Sequence, residues 1–328
     1  MLPNFLCIGA QKSGTTSIWQ LLNAHPDVFL ASPRETQFFS DELKFANGLQ
    51  FYESQHFAAW KGQSAVGEKC PEYLCVPEAA VRIRSSLGPN VKFVVTLRNP
   101  AQRAFSHYRH NLLAMRETRR FEDAIADEIN QMNDGQNIAP PFGYVSRGQY
   151  AQQLKRYLKQ FDIAQFLFVR FEQDVCSDQR ALAHRLCGFL NIQRILPPGL
   201  PFRSGRPKLD ELFVQIDQSS KNEQDHFVEW NRNRPRSAVR RIVDRLMTRS
   251  NDSGRRVYQP SEALLQWAEN IIHYQTSATG LTKEFESSLN HEVFRNDIQE
   301  LQRLTSLDLS HWLIDSGHAG VQSTSRAA

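Results

Sequence analysis

The stretch Phe5-Leu6-Cys7-Ile8-Gly9-Ala10-Gln11-Lys12-Ser13-Gly14-Thr15-Thr16 decides how this chain folds. It opens with an apolar run of buried-strand length, and a loop bounded by glycines separates that run from a helix predicted to start at Thr15. Glycine lets backbone N–H groups turn toward an anion with no Cβ in the way. The helix start adds the positive end of its dipole, and Lys12 inside the loop adds a full charge. Strand, loop and helix together predict a site for a phosphorylated ligand.

The spacing Gly9-x4-Gly14 is that of a nucleoside triphosphate P-loop, yet that motif puts Lys and then Ser or Thr directly after the second glycine. Here Thr15 and Thr16 follow it, and the lysine lies within the loop. A purely structural glycine turn is the plain alternative, and a second signal weighs against it. Val91-Lys92-Phe93-Val94-Val95-Thr96-Leu97 is another apolar strand, ending in Arg98-Asn99-Pro100 ahead of a helix predicted over residues 101–115. A P-loop kinase or ATPase usually carries an aspartate at this point to hold Mg²⁺. Arg98 would repel a metal ion and attract an anion, and Ser106, two turns into the helix, offers a hydroxyl to the same group. Two anion grips on one α/β core, with no evident metal ligand, suit a ligand with phosphates at two ends.

In these residues the chain resembles the sulfotransferases that use 3′-phosphoadenosine-5′-phosphosulfate (PAPS), and among them the carbohydrate and heparan sulfate type, bacterial or Golgi-like. Gln11-Lys12-Ser13-Gly14-Thr15-Thr16 looks like their 5′-phosphosulfate loop, and Leu97-Arg98-Asn99-Pro100 with Arg103-Ala104-Phe105-Ser106-His107-Tyr108 like their 3′-phosphate motif. His25-Pro26-Asp27-Val28 follows the first helix, as in carbohydrate-type members. Pro33-Arg34-Glu35-Thr36-Gln37-Phe38-Phe39 resembles the segment in which heparan-type enzymes carry their base. Gly67-Glu68-Lys69-Cys70-Pro71-Glu72-Tyr73 resembles the family's Glu-Lys-Ser/Thr-Pro-x-Tyr stretch, with cysteine where a hydroxyl residue is usual. Arg147-Gly148-Gln149-Tyr150 looks like the start of the helix before the next strand, which reads as Phe166 to Glu172. Ser204-Gly205-Arg206-Pro207 resembles the late loop that closes over the 3′-phosphate.

The resemblance implies PAPS as donor, 3′,5′-adenosine bisphosphate (PAP) as product, no metal, and a carbohydrate or other hydroxyl or amine acceptor. It assigns donor binding to Gln11, Lys12, Ser13, Gly14, Thr15, Thr16, Arg98, Ser106, Ser204, Gly205 and Arg206. Sulfuryl transfer needs a nucleophile freed of its proton, an in-line approach and stabilised charge on the leaving oxygen. Glu35 would take the acceptor proton, Lys12 would sit at the bridging oxygen, and Lys69 would contact the acceptor or the sulfonate oxygens. A carboxylate is a weak base for an alcohol, so its value rests on positioning and partial burial. A loose transition state, in which the acceptor proton leaves late, makes a modest base sufficient. Plain alternatives stand beside each role: Glu35 paired with neighbouring Arg34, Lys69 in a surface pair with Glu68, and His56, His107 or His110 as the base.

Length and composition fit a single enzyme: 328 residues, net charge +4, and no Gly/Ser or Pro-rich linker. Strands near residues 5, 65, 92 and 166 alternate with helical stretches, so the fold class expected is α/β: a P-loop-like parallel β-sheet of about five strands flanked by helices, with additional C-terminal helices. One domain is expected over 1–315, with a basic helical insert at about 210–256 and a disordered tail at 316–328. The insert reads as a solvated face, an acceptor-binding surface or a membrane-surface contact. A further helix is expected from Ser261. The modest charge does not argue for nucleic acid as a partner. Five cysteines, with no paired or metal-binding spacing, point to a reducing compartment. With the loop starting ten residues in and no leader or anchor visible ahead of it, a cytoplasmic form is expected, or the catalytic part of a longer protein. Two rivals remain on sequence: a P-loop kinase with a displaced lysine, and a nucleotide-binding module without catalysis.

Overall fold

A computed structural model of the chain describes residues 1–114, 116–138, 141–195 and 281–314. Five strands form a parallel sheet: β1 (Phe5–Gly9), β2 (Val28–Leu30), β3 (Ala65–Lys69), β4 (Lys92–Leu97) and β5 (Phe166–Arg170), in the order β2-β3-β1-β4-β5. β1 and β3 are buried along their whole length, as befits central parallel strands covered on both faces. The chain leaves β1 toward β2 on one side and later returns past it to β4 on the other. The loops after β1 and β4 therefore flank the switch point of the sheet, the usual ligand crevice of an open α/β fold.

Side-chain alternation along the strands builds two apolar layers. On one face Phe5, Cys7, Val94 and Val169 pack against α1 (Thr15–Asn23) and α8 (Gln179–Leu190) through Ile18, Leu21, Leu22, Leu182 and Leu186. On the other, Leu6, Ile8, Val66, Phe93 and Val95 meet a larger layer. It comprises α2 (Glu42–Ala46), α3 (Gly48–His56), α4 (Ala79–Leu87), α5 (Pro100–Leu113), α6 (Phe121–Asn133) and α7 (Tyr150–Leu158). C-terminal helices α9 (Lys283–Leu289) and α10 (Arg295–Thr305) complete it, with Phe294, Ile298 and Leu301 buried there.

Phe5 stands opposite Gly67 in the β1–β3 register, and a Cβ on that glycine would lie 2.2 Å from the Phe5 ring. β2 is a short edge strand, three residues long, that the sequence analysis does not assign. β5 ends at Arg170, two residues before the end expected for it, and Phe171 begins a wide turn. The expected loop residues Ser204, Gly205 and Arg206, the basic stretch at 210–256, the helix from Ser261 and the tail lie outside the described residues.

Candidate active site

The loop after β1 is shaped by backbone conformations that favour few residues. Gly14 caps α1 with φ +89°, and Lys12 itself sits at φ 66°. The cap uses no side chain, and the backbone N–H groups of Gly14, Thr15 and Thr16 find no acceptor among the described residues. They are the orphan donors of a helix start, all at one end of the loop. The Lys12 ammonium likewise has no hydrogen-bond or ion-pair partner among the described residues. Burial, then repulsion from Arg98, Arg103 and Arg109, lowers its pKa from 10.5 to about 8. A half-buried cation surrounded by cations, beside unmet N–H donors, is a cradle that fits phosphate oxygens.

α5 brings the second motif to this loop. Asn99 caps it by accepting from the Gln102 N–H at 3.2 Å, and Pro100 takes the first helical position, where its missing N–H costs nothing. Arg98, just ahead of the cap, donates to the Lys12 carbonyl at 3.1 Å, so the two predicted grips meet directly. Its guanidinium lies 4.6 Å over the Phe171 ring, and its buried Nε has no partner. Phe171 also fills the space where a Cβ on Gly14 would lie 2.7 Å from the ring. The Tyr150 hydroxyl donates to the Arg98 carbonyl at 3.0 Å. Ser106 lies on the α5 face between Arg103 and Arg109, three residues from each, and is half-buried. Arg103, fully buried, donates to the carbonyls of Gly143 and Tyr144 and serves to hold that segment.

Gln11 turns to the other side of the loop. Its amide donates to Glu72 at 3.3 Å, and Glu72 accepts two bonds of 2.8 Å from Arg147. The Gly-Glu-Lys and Arg-Gly-Gln-Tyr stretches thus tie Gln11 down from both sides.

Glu35 and Lys69 are brought into contact as an ion pair across the carboxyl end of β3. The lysine side chain is 4% exposed and the glutamate 40%, so the acid reaches solvent from a buried counter-ion. Neither alternative pairing occurs. Arg34 lies 4.1 Å over the Trp19 ring. Glu68 is wholly buried, its Oε1 accepting from the Thr36 N–H (3.0 Å), the Thr36 hydroxyl (2.6 Å) and Tyr73 (2.9 Å), and its Oε2 from Tyr52 (2.5 Å). Burial pushes its pKa up against those four hydrogen bonds. Successive residues of β3 face opposite layers, so the segment Glu35-Thr36 straddles the strand end, Glu35 bonded to Lys69 on one side and Thr36 to Glu68 on the other. The sequence reading did not assign Thr36, Tyr52 and Tyr73 to this anchorage. A glutamate inside an otherwise buried strand was the available signal.

The histidines serve elsewhere. His56 bonds the Ser32 carbonyl at 2.9 Å. Burial and then the neighbouring cations Arg103, Arg147 and Lys12 drive His107 down to about 2, and burial with Lys12 and Arg116 takes His110 to about 4. Among the described residues no cluster of His, Cys, Asp and Glu is arranged to hold a metal ion.

The sulfotransferase domain, as a family, matches residues 2–197. The chain belongs to the sulfotransferase family. Heparan sulfate glucosamine 3-O-sulfotransferase 3B1 of Mus musculus is 32% identical over 195 residues, 60% of this chain and 47% of that protein. Bifunctional heparan sulfate N-deacetylase/N-sulfotransferase 1 of Caenorhabditis elegans is 30% identical over 173 residues, 51% of this chain and 20% of the other. The chain spans about half the length of the first of these curated relatives. The crystal structure of a sulfotransferase from Alicyclobacillus acidocaldarius superposes with a TM-score of 0.54 at 30% identity, over 73% of this chain and 98% of that one. The five-stranded parallel sheet flanked by helices is therefore the sulfotransferase fold.

Proposed function

We propose that this sulfotransferase moves the sulfuryl group of PAPS to a hydroxyl or amine of a carbohydrate acceptor. The observation that carries the reading is Lys12, a half-buried lysine whose ammonium has no partner among the described residues, beside orphan N–H donors, with Arg98 bonded to the same loop. The donor, when bound, supplies an activated sulfuryl group on a phosphate leaving group. Lys12 and the N–H groups of Gly14, Thr15 and Thr16 would hold its 5′-phosphate end and offset charge on the leaving oxygen. Gln11 and Ser13 line the same loop, and Arg98 with Ser106 would take the 3′-phosphate. Glu35 has Oε1 committed to Lys69 and Oε2 without a hydrogen-bond partner among the described residues, which suits that oxygen to receive the acceptor's proton. Lys69 keeps the carboxylate aimed and would contact the acceptor or the sulfonate oxygens. The carbohydrate class is supported by the acceptor named in both relatives quoted above. The cytoplasm is the compartment we propose, on the strength of five unpaired cysteines, three of them buried.

Thermal unfolding tests the donor assignment most directly. PAP at about a hundred times its dissociation constant is expected to raise stability by roughly 2.7 kcal/mol without added Mg²⁺. ATP is expected to give a smaller shift. A larger response to ATP with Mg²⁺ than to PAP would favour a kinase-like activity instead. Transfer of labelled sulfate from PAPS to a panel of glycans then reads the acceptor.

A further inference from the structure

The segment 281–314 lies beyond the stretch matched by the sulfotransferase domain, which ends at residue 197, yet it meets the turn that carries Arg98 from two sides. Asn290, buried at the end of α9, accepts from the Ala101 N–H at 3.3 Å and donates to the Asn99 side chain at 3.2 Å and to the Trp312 carbonyl at 3.0 Å. The Ala101 N–H is an orphan donor in the first turn of α5, so this helix is capped both by Asn99 and by a residue about 190 positions away. Asp297 on α10 does the same for α7, accepting from the Ala151 and Gln152 N–H groups at 3.0 and 3.2 Å. α7 begins with Tyr150, whose hydroxyl holds the Arg98 carbonyl. Both helices that fix the Arg98 backbone are thus capped from the same C-terminal segment.

The segment also brings charge. Glu286 on α9 accepts from the Gln102 side chain at 2.9 Å and lies within electrostatic reach of Arg98, alongside Glu172. Glu172 bonds the Asn99 N–H at 3.0 Å through one oxygen and leaves its other oxygen buried and unpartnered. Two carboxylates bonded to the Asn99–Gln102 turn thus lie within electrostatic reach of Arg98.

We propose that the C-terminal segment is a working part of the donor site: Asn290 positions Arg98 for an adenosine-linked phosphate, and Glu286 moderates the charge that Arg98 presents. This rests on Arg98 being a phosphate grip. Two effects of opposite sign follow. Losing Asn290 frees the turn and weakens binding, whereas neutralising Glu286 strengthens it, because the incoming phosphate no longer meets that carboxylate.

Calorimetric titration with PAP of the full chain and of Asn290→Ala and Glu286→Gln is the test, with Tm recorded for each. Asn290→Ala is expected to weaken PAP about tenfold, a change of about 1.4 kcal/mol, and to raise KM for the donor while kcat at saturating donor stays within about twofold. Glu286→Gln is expected to bind PAP about threefold more tightly at low salt. General loosening of the fold cannot produce that gain. Folded Asn290→Ala with wild-type affinity, or Glu286→Gln with unchanged or weaker affinity, overturns the proposal. Should Asn290→Ala not fold, the Glu286→Gln result decides alone. Failure of the unaltered protein to bind PAP would instead remove the donor reading itself.

Discussion

Glu35 and Lys69 come from segments 34 positions apart and meet as a pair whose lysine is buried and whose glutamate is open to solvent. Removing the carboxylate charge leaves the buried Lys69 ammonium without its counter-ion, so it should lower stability as well as act on chemistry. Glu35→Gln keeps the shape and removes the basic oxygen. Turnover is expected to fall by about 10²- to 10⁴-fold, with PAP affinity near wild type and Tm lowered, as read by labelled transfer and calorimetry. Near-normal turnover would assign proton removal to another group. The identity of this pair was legible only in part. Glu35 has a cation directly before it in the chain, but that arginine lies over Trp19, and the partner that holds Glu35 comes from a strand buried in the sheet. Nearness in sequence is a poor guide to pairing where side chains leave a loop in opposite directions.

The element that joins the two anion-binding loops is the wide turn after β5. Phe171 lies against Gly14 on one side and beneath Arg98 on the other, so a change at the first loop reaches the second. Gly14→Ala must adopt a left-handed backbone and displace that ring. A destabilisation of about 1–3 kcal/mol is expected, together with loss of PAP affinity beyond what the first loop alone would cause. A variant with unchanged Tm and affinity would show that the ring carries no such coupling. β1, its loop, α1, β4 and α5 were readable because apolar runs end there in glycine or in Asn-Pro, residues with local conformational consequences. β2 was not, since three residues carry no periodicity. The end of β5 was overrun because the apolar alternation continues through Phe171 while the backbone turns. Asn290 lies 191 positions from Asn99, and no local pattern announces a helix capped at that range.

At the scale of the whole molecule, the cation-rich crevice makes donor binding depend on pH. Lys12 has its pKa lowered from 10.5 to about 8 by burial and by its cationic neighbours. Between those values the unfolded chain binds the proton that the fold has released, so this group's contribution to stability rises with pH across that window and is unfavourable below it. A phosphate dianion restores the charged form. PAP affinity is expected to be flat up to about pH 7.5 and to fall as pH rises through 8, with protons taken up on binding in that range. Calorimetry in buffers of different ionisation enthalpy measures the uptake, and an affinity independent of pH between 7 and 9.5 would show that Lys12 does not touch the ligand. The polarity of the crevice has a simpler guarantee in the contact of Phe5 with Gly67. The ring seats where only a hydrogen atom fits, like a key in a notch. A slide of β3 by one position would jam a side chain under it and swing Lys69 into the layer now occupied by Glu68, leaving Glu35 without its counter-ion. A missing methyl group thus keeps one acid sealed in the interior and the other at the surface.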